Sequence, residues 1–267
     1  MLRFSGAGVS DVGLVRSSNE DSGFVAPYVA LVADGVGGAA AGEIASATAA
    51  YAVAATALQR PGVDPGRVLV EAFAAARDNV RLGVQRDLNR LGMATTLTVL
   101  VTDGRTVALG HVGDSRAYLL RGGELRQITT DHTYVQHLVE TGRLSDHARA
   151  THPWRNVVLR SLDGDPEGGG LDITRLDVRV GDRLMICSDG LTDLVDDARI
   201  AAVLRAQGPE EATAELTAAA LAAGGKDNIT CVVVDVIDGP RVVGDGRLLG
   251  AVYDPRNIVD AAAVRLA

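Results

Sequence analysis

Apolar runs alternate with turn residues along most of the chain, in the pattern expected of a protein built from short strands. Several runs are joined by glycine-containing turns of two or three residues, such as Asp103-Gly104, Arg121-Gly122-Gly123 and Gly181-Asp182. Strands joined this tightly must be antiparallel. The predicted strands are Phe24–Asp34, Ala94–Thr102, Thr106–Val112, Arg116–Leu120, Leu125–Thr129, Leu171–Val180, Arg183–Ser188 and Ile229–Ile237.

Two pairs of Ala-rich segments interrupt the strands and predict helices. Pro65 and Pro209 stand where a first helical turn tolerates proline. Strand clusters interleaved with helix pairs favour an α+β fold in which helices cover antiparallel sheets, and they disfavour a parallel sheet. The predicted helices are about Gly42–Gln59, Pro65–Leu91, Asp197–Gln207 and Pro209–Ala223.

Two segments depart from this alternation. Residues 131–160 are polar and contain histidine, with a short helix predicted over about Tyr134–Thr141, and they predict a surface flap. The strand pattern ends at Asp238. Residues 239–267 are neither of low complexity nor clearly helical until their end, so they predict an extension of unknown role.

Composition narrows the class of protein. The chain has 267 residues, 47% of them hydrophobic, and a net charge of −8, which fits a folded protein and disfavours a nucleic-acid partner. No run approaches the roughly 20 apolar residues of a membrane span. Cys187 and Cys231 lie inside apolar runs, as expected of core residues in a reducing compartment. We therefore expect a soluble, cytoplasmic protein.

Four aspartates stand at the ends of buried strands with glycine nearby: Asp34, Asp114, Asp189 and Asp227. Turn chemistry accounts for any single Asp-Gly pair. Several carboxylates held together repel one another unless a cation neutralises them, and hard divalent ions prefer oxygen ligands. Gly35 would let the backbone carbonyl beside Asp34 approach an ion closely. Spacing alone leaves both a turn role and a metal site open.

The segment GLVRSSNEDS contributes Arg16, Asn19, Glu20 and Asp21 just before the first clear strand. It could be a solvated loop with a capping role. Alternatively, Arg16 could bind an anionic group, since its planar fork matches a phosphate bidentately. A metal site with a phosphate-binding arginine indicates metal-assisted phosphoryl transfer to water.

Eight segments together resemble the motifs of the metal-dependent Ser/Thr protein phosphatases of type 2C, specifically their compact bacterial members. They occur in family order from near residue 5 to about 238. They are RSSNEDS (16–22), ADGVGG (33–38), MATTL (93–97), GHVGDSRAYL (110–119), TDHTYVQHLVETG (130–142), HPWRNVVLRSL (152–162), CSDGLTD (187–193) and GGKDNIT (224–230).

The resemblance implies a four-layer α-β-β-α sandwich, with two antiparallel sheets face to face between helix pairs. Residues 1–238 would form the catalytic domain, with the flap at about 131–160. By the same likeness, Asp34 would bridge two Mn²⁺ or Mg²⁺ ions, Gly35 would bind one through its carbonyl, and Asp189 and Asp227 would hold the other. Asp114, with Asp189, matches the pair that binds a third, weaker ion.

The likeness also assigns the chemistry. Arg16 would bind the substrate phosphate, Glu20 and Asp21 would hold metal-bound waters, and a hydroxide between the metals would attack phosphorus in line. Arg16, Asp34 and Asp189 are the residues expected to take part in catalysis. The implied activity is hydrolysis of phosphoserine and phosphothreonine in proteins. The implied partners are phosphorylated proteins, including a Ser/Thr kinase and its substrates, and we expect a monomer.

One departure from the family concerns the proton donor. Some members carry a histidine in or just after the DG-x-GG turn, thought to protonate the leaving alkoxide, but Val36, Ala39 and Ala40 stand there. A metal-bound water or a flap residue must then serve. We predict structural roles for His132 and His152 in or near the flap.

Three other classes of protein compete with this interpretation. A cysteine-dependent phosphatase is excluded because no arginine stands six residues after either cysteine. A dinucleotide-binding GxGxxA reading of Gly35, Gly37 and Ala40 is disfavoured, since Asp34 would face a pyrophosphate and residues 52–63 contain no acid. The remaining alternative is a non-catalytic phosphatase-like binding or sensor domain, supported only by the missing histidine.

Overall fold

The computed structural model describes residues 1–36, 41–165, 167–243 and 246–262. Within them, two antiparallel sheets lie face to face and helices cover both outer faces, which confirms the predicted four-layer sandwich. The strands are, in chain order, β1 (Leu2–Asp11), β2 (Asp21–Ala26), β3 (Val29–Val36), β4 (Ala94–Thr95), β5 (Leu97–Thr102), β6 (Val107–Val112), β7 (Arg116–Arg121), β8 (Glu124–Gln127), β9 (Asp172–Leu176), β10 (Arg183–Cys187), β11 (Ile229–Asp238) and β12 (Arg247–Gly250).

The two sheets differ in size but share the antiparallel pattern. One has five strands in the order β1-β11-β10-β7-β8. The other has seven strands, with the order β12-β2-β3-β5-β6-β9 and the short β4 paired beside β3. Tight turns join β5 to β6 and β7 to β8, as predicted, whereas Gly181-Asp182 lies between β9 and β10, which belong to different sheets and do not pair.

Three of the six helices in the described residues begin with a side chain that accepts a hydrogen bond from a free backbone N–H group. Asp64 accepts a hydrogen bond from the Arg67 N–H ahead of α2, and Asp196 does the same for Arg199 ahead of α5. Pro65 and Pro209 occupy first turns, as predicted. The helices are α1 (Gly42–Leu58), α2 (Pro65–Arg86), α3 (Tyr134–Glu140), α4 (Asp189–Thr192), α5 (Asp197–Ala206) and α6 (Pro209–Ala222).

Three apolar layers separate the four layers of secondary structure. In β10, Leu184 and Ile186 point between the sheets, whereas Met185 and Cys187 point towards α5 and α6. In β3, Leu31 faces the layer beneath α1 and α2. Both faces of the central strands are therefore buried, which explains why their sequences are continuously apolar and not alternating. Both cysteines are buried and free.

Several predicted elements differ from those observed. The run Phe24–Asp34 is two strands, β2 and β3, joined by a turn at Pro27-Tyr28, because proline fixes φ and has no N–H for a ladder. The helix predicted to Leu91 ends at Arg86 and is followed by a short 3₁₀ helix. The strands β1 and β12 were not predicted, and β12 continues the sheet beyond Asp238 by pairing with β2.

The flap, residues 131–160, contains α3 as predicted and a 3₁₀ turn at Asp146–Ala148. Tyr134, His152 and Trp154 form a small cluster of ring contacts within it. In the described part of the chain, no helix combines the length and apolar character needed to cross a membrane.

Candidate functional site

Carboxyl groups from both sheets meet at one edge of the sandwich. Asp21 begins β2 and lies directly opposite Asp34 of β3. Asp189 follows β10, Asp227 precedes β11, and Asp114 lies in the turn from β6 to β7. The structure therefore brings the four predicted aspartates together with Asp21, and each of Asp21, Asp114, Asp189 and Asp227 contributes to the electrostatic environment of Asp34.

Backbone hydrogen bonds fix the position of Asp34. Its N–H donates to the hydroxyl of Thr96 at 3.0 Å, and its carbonyl accepts from the Thr96 N–H and the Thr95 hydroxyl, each at 2.8 Å. The strand end that carries the carboxyl is thus held by two neighbouring threonines, one of them in β4. Asp34 cannot shift without breaking bonds that lie largely inside the protein.

Gly35 lies where a larger residue would not fit. Its N–H donates to the carbonyl of Glu20 at 3.1 Å. A Cβ at Gly35 would come within 2.5 Å of the Gly42 carbonyl oxygen and 2.9 Å of the Glu20 carbonyl oxygen. Glycine is therefore required by close backbone approach at this edge.

Asp21 is a buried carboxyl group with one unsatisfied oxygen. The Ser188 hydroxyl donates to its Oδ2 at 2.7 Å, whereas Oδ1 is buried without a hydrogen-bond partner. Burial raises the pKa of Asp21 to about 6. Such an unsatisfied oxygen is costly in a folded protein and indicates a missing partner group.

Burial and mutual repulsion raise the pKa of the neighbouring carboxyl groups as well. The pKa of Asp34 is well above its ordinary value because of burial and then of Asp21 and Asp189. The pKa of Asp189 is likewise raised by burial and then by Asp114 and Asp193. For Asp114, burial together with Asp131 raises the pKa to about 7. These groups resist carrying several negative charges at once.

Arg16 lies beside this edge but is already paired. Its Nη2 lies 2.6 Å from Oδ2 of Asp227, and both side chains are partly exposed. The hydrogen bond to Asp227 raises the pKa of the Arg16 guanidinium, with smaller contributions from Glu20 and Asp34. Burial and then Glu43 raise the pKa of Glu20. Arg16 is thus near the carboxyl groups, although a substrate anion would have to compete with Asp227 for it.

The carboxyl groups are neighbours and not a preformed cage. Within residues 1–36, 41–165, 167–243 and 246–262, no group of three or more His, Cys, Asp or Glu side chains is arranged as a set of metal ligands. The predicted ligands share an edge and an electrostatic environment, while their oxygens do not converge on a single point. Convergence would require rotation of side chains, among them that of Asp227, which is partly exposed.

A polar cavity of about 560 Å³ lies between this edge and the flap. Asp114, Asp189 and Asp193 line one side of it, and Arg149 and Arg155 of the flap line another. The cavity thus places cations opposite the carboxyl groups, in a space open to solvent and large enough for a peptide side chain.

An ion pair in the wall of this cavity joins the flap to the five-stranded sheet. Arg116 of β7 contacts both carboxylate oxygens of Asp131, at 2.7–3.1 Å, and Arg149 contacts the same carboxylate at 3.2 Å. Burial by itself would lower the pKa of Arg116, but the hydrogen bonds to Asp131 outweigh burial and the pKa is raised. The base of the flap is therefore held by a desolvated, bidentate contact.

Three histidines bond to neighbouring groups of the protein. His111 is buried, bonded to the Thr98 hydroxyl and the Thr130 carbonyl, and burial lowers its pKa to about 4. His132 accepts from the Gly113 N–H through Nδ1 and contacts Asp172 through Nε2. His152 accepts from the Trp154 N–H.

Val36, Ala39 and Ala40 stand where some family members carry a histidine in or just after the DG-x-GG turn. Of these three, the structure describes only Val36, which is the last residue of β3. Ala39 and Ala40 lie outside the described residues. No histidine therefore occupies the described part of this turn.

Three residues that hold the site together were not predicted from the sequence: Thr96, Ser188 and Asn228. Ser188 bonds Asp21 and also accepts from the Thr230 N–H at 2.9 Å. Asn228 bonds three backbone groups of the loop that carries Arg16. Each is a polar residue next to a buried strand, which was the available indication, but polarity alone does not identify a bonding partner.

Comparison with known proteins places these features in a family. A family model described as protein phosphatase 2C matches residues 17–223. Serine/threonine protein phosphatase PstP of Mycobacterium tuberculosis is 42% identical over 238 residues, 89% of this chain and 46% of that protein. Serine/threonine phosphatase stp of Listeria innocua is 32% identical over 241 residues, 85% of this chain and 93% of that protein. The chain thus spans about half the length of the mycobacterial relative.

Solved structures agree with the sequence comparison. The crystal structure of M. tuberculosis PstP/Ppp has a TM-score of 0.84 at 40% identity, covering 88% of this chain and 100% of that one. The crystal structure of the PstP catalytic domain in complex with two manganese ions has a TM-score of 0.81 at 40% identity, covering 89% and 100%. The family match, the identities and the shared four-layer fold lead to one conclusion: this chain belongs to the protein phosphatase 2C family.

Proposed function

We propose that the protein is a metal-dependent protein phosphatase that hydrolyses phosphoserine and phosphothreonine. One observation carries the proposal. Asp21, Asp34, Asp114 and Asp189 come together at one edge, and in the described part of the chain none of them forms an ion pair with a cationic side chain. Carboxyl groups arranged in this way favour a divalent cation, and Arg16 stands beside them to receive an anion.

The donor set fits Mn²⁺ or Mg²⁺. All the groups are oxygen donors, and the buried, unpartnered Oδ1 of Asp21 marks a polar position that lacks a protein partner. Asp34, the Gly35 carbonyl, Asp189 and Asp227 would hold two ions. The relative solved with two manganese ions supports this number. When bound, such ions supply Lewis-acid activation of water and neutralise the phosphate.

Asp114 is the proposed contributor to a third ion. It lies in the β6–β7 turn and influences Asp189 electrostatically, which supports the pairing of these two residues in a further site. Its position on the wall of the polar cavity would put that ion on the flap side.

Arg16 is the proposed phosphate-binding residue. Its guanidinium would exchange part of its contact with Asp227 for two phosphate oxygens, which offer a better match to its planar fork. Once Asp227 takes a metal ion, its carboxylate is less available to Arg16, so ion binding and phosphate binding would support each other.

Glu20 and Asp21 would orient water at the edge. Asp21 is fixed by Ser188, and Glu20 is held through its backbone N–H by Asn228. Neither His132 nor His152 is assigned to the leaving alkoxide, because His132 uses both ring nitrogens and His152 bonds within the flap. We assign that proton to water in the site.

We extend the proposal to the organisation of the chain. Residues 1–238 would form the catalytic unit, to which β12 of the C-terminal extension adds an edge strand, and residues 131–160 would cover the cavity beside it. The substrates would be phosphorylated proteins, among them a Ser/Thr kinase and its substrates, acted on by a monomer. Two buried free cysteines support a reducing compartment such as the cytoplasm.

The test is release of phosphate from a phosphothreonine peptide and from p-nitrophenyl phosphate, with Mn²⁺ and with EDTA. We expect activity only with the divalent ion. Asp34→Asn and Asp189→Asn should each lower kcat by at least about a hundredfold, because each removes charge that holds the ions.

Asp254→Asn is the matched control, since Asp254 pairs with the exposed Arg256 in the C-terminal segment. It should retain full activity. Full activity in EDTA, or in both site variants, would contradict the mechanism. A folded protein inactive with every divalent ion would instead favour the non-catalytic alternative.

A further inference from the structure

A buried amide side chain holds both ends of the loop that carries Arg16. Asn228 is only 5% exposed. Its Nδ2 donates to the carbonyls of Val12 and Ser18, each at 2.9 Å, and its Oδ1 accepts from the Glu20 N–H at 2.7 Å. The side chain therefore uses both N–H groups and its carbonyl on residues 12–20, which we call the Arg16 loop.

The centre of the Arg16 loop is open to solvent. Residues 14–18 are all exposed, and Leu14 and Val15 are 68% and 69% exposed. The Leu14 N–H donates to the Gly225 carbonyl at 2.7 Å, which adds one further restraint. The Asn19 amide also donates to the Ser10 hydroxyl, and the Glu20 carbonyl accepts from the Gly35 N–H, so the C-terminal end of the loop has other contacts. Without Asn228, the exposed centre of the loop would sample more conformations.

The same residue also fixes the partner of Arg16. The Asn228 N–H donates to Oδ1 of Asp227 at 2.9 Å, leaving Oδ2 to contact Arg16 at 2.6 Å. Both members of the Arg16–Asp227 pair are therefore oriented by Asn228, one through its backbone and one through its side chain.

We propose that Asn228 is a positioning residue for phosphate binding: it holds the Arg16 loop so that Arg16 stays at the carboxyl-lined edge. The proposal rests on the role of Arg16 in the proposed function. Preorganisation matters here because an arginine side chain loses considerable rotamer freedom when it binds, and loop disorder would add to that loss. In this role Asn228 would contact neither the substrate nor an ion and would act through Arg16.

A purely structural role predicts something different. A buried asparagine that only supports the fold would lower stability when replaced and leave substrate affinity unchanged. Asn79 is the matched control, because it is also buried, at 6% exposure, and donates to the Ala75 carbonyl at 2.8 Å within α2. Asn79→Ala should change stability alone.

The first experiment is a double-mutant cycle on phosphothreonine-peptide kinetics with Mn²⁺. Asn228→Ala should raise KM about tenfold, with kcat within about twofold, because part of a charged contact is lost. In the Arg16→Ala background, Asn228→Ala should raise KM by less than about twofold, since a residue that acts through Arg16 has nothing left to position. Multiplicative effects of the two substitutions on KM would overturn the proposal.

The second experiment does not depend on activity. Amide hydrogen exchange in metal-free protein should be at least about tenfold faster at Leu14 and Glu20 in Asn228→Ala. It should be unchanged at both positions in Asn79→Ala and Arg16→Ala. Unchanged exchange in Asn228→Ala would overturn the proposal even if catalysis were affected.

The two experiments separate this proposal from the proposed function. If the wild-type protein hydrolyses no phosphopeptide with any divalent ion, the proposed function fails, and the exchange rates alone decide whether Asn228 holds the Arg16 loop. If Asn228→Ala does not fold, Asn228→Asp takes its place. That variant keeps the side-chain size and the acceptor for Glu20 but loses both donations to carbonyls.

Discussion

Replacing Asp21 with asparagine removes a charge that the folded, metal-free protein accommodates poorly. Burial raises the pKa of Asp21 from 3.8 to about 6. A carboxyl group whose pKa is higher in the folded state destabilises that state above the folded pKa, and the penalty diminishes as the pH falls towards the unfolded value. At about pH 7.5 the penalty is about 3 kcal/mol, and at about pH 4.5 it is about 1 kcal/mol.

The asparagine side chain would not recover all of this free energy. Its amide oxygen can still accept from Ser188, but its amide nitrogen would replace the Oδ1 of Asp21, which has no partner, and a buried unsatisfied donor costs about 1–2 kcal/mol. We therefore expect Asp21→Asn to raise the free energy of unfolding by about 1–2 kcal/mol at about pH 7.5. The advantage over wild type should decrease by about 2 kcal/mol at about pH 4.5.

The assay is urea unfolding in EDTA at both pH values, read as the difference between variant and wild type. The difference is essential because His111, whose pKa is lowered to about 4 by burial, makes stability fall as the pH falls, and it does so in both proteins. Asp78→Asn, at an exposed position on α2, should change stability by no more than about 0.5 kcal/mol. An equal difference at both pH values, or a variant less stable than wild type at about pH 7.5, would show that the charge of Asp21 does not destabilise the folded protein.

Three further predictions concern groups around the site. Thr96→Val removes the acceptor for the Asp34 N–H and should lower the free energy of unfolding by about 1–3 kcal/mol in urea titrations, with a fall in kcat; unchanged values for both would contradict the role of this threonine. Asp131→Asn removes the buried negative charge that neutralises Arg116 and should cost about 3–5 kcal/mol, whereas replacing both residues with apolar ones of similar size should cost less than the single change. Leu249→Ala empties a buried position in β12 and should cost about 2–5 kcal/mol by thermal unfolding, while a loss below about 1 kcal/mol would show that β12 contributes little.

The sequence predicted the layers because burial on both faces leaves a strong pattern. Strands such as β10 and β11 are continuously apolar, and the four rim aspartates stand out where those runs stop. The strand β1 left a weak pattern, since Gly6 and Gly8 interrupt it. The short β12 is stabilised by its pairing with β2, a tertiary contact that no local window contains.

The site was predictable in its membership and not in its contacts. Asp34, Asp114 and Asp189 each stand at or just after the end of a buried strand. The position of that strand in the sheet therefore determines where the carboxyl group lies. Two sets of contacts join residues more than 200 positions apart: the Arg16–Asp227 pair and the hydrogen bonds from Asn228 to the Arg16 loop. Which partner a long, flexible side chain selects depends on the folded surface around it, and spacing in the sequence does not encode that choice.

The pairing of β1 with β11 has a consequence for how the chain can fold. These strands align Leu2 with Asp238, and the α-amino group of Met1 lies 2.6 Å from Asp238, 237 positions away along the chain. During synthesis, β1 leaves the ribosome more than 200 residues before β11, so the pairing of these two strands cannot be completed until residue 238 is free of the ribosome. Contacts between residues so far apart along the chain make formation of the sheet slow. Until β11 is available, β1 is an unpaired strand that a chaperone could protect.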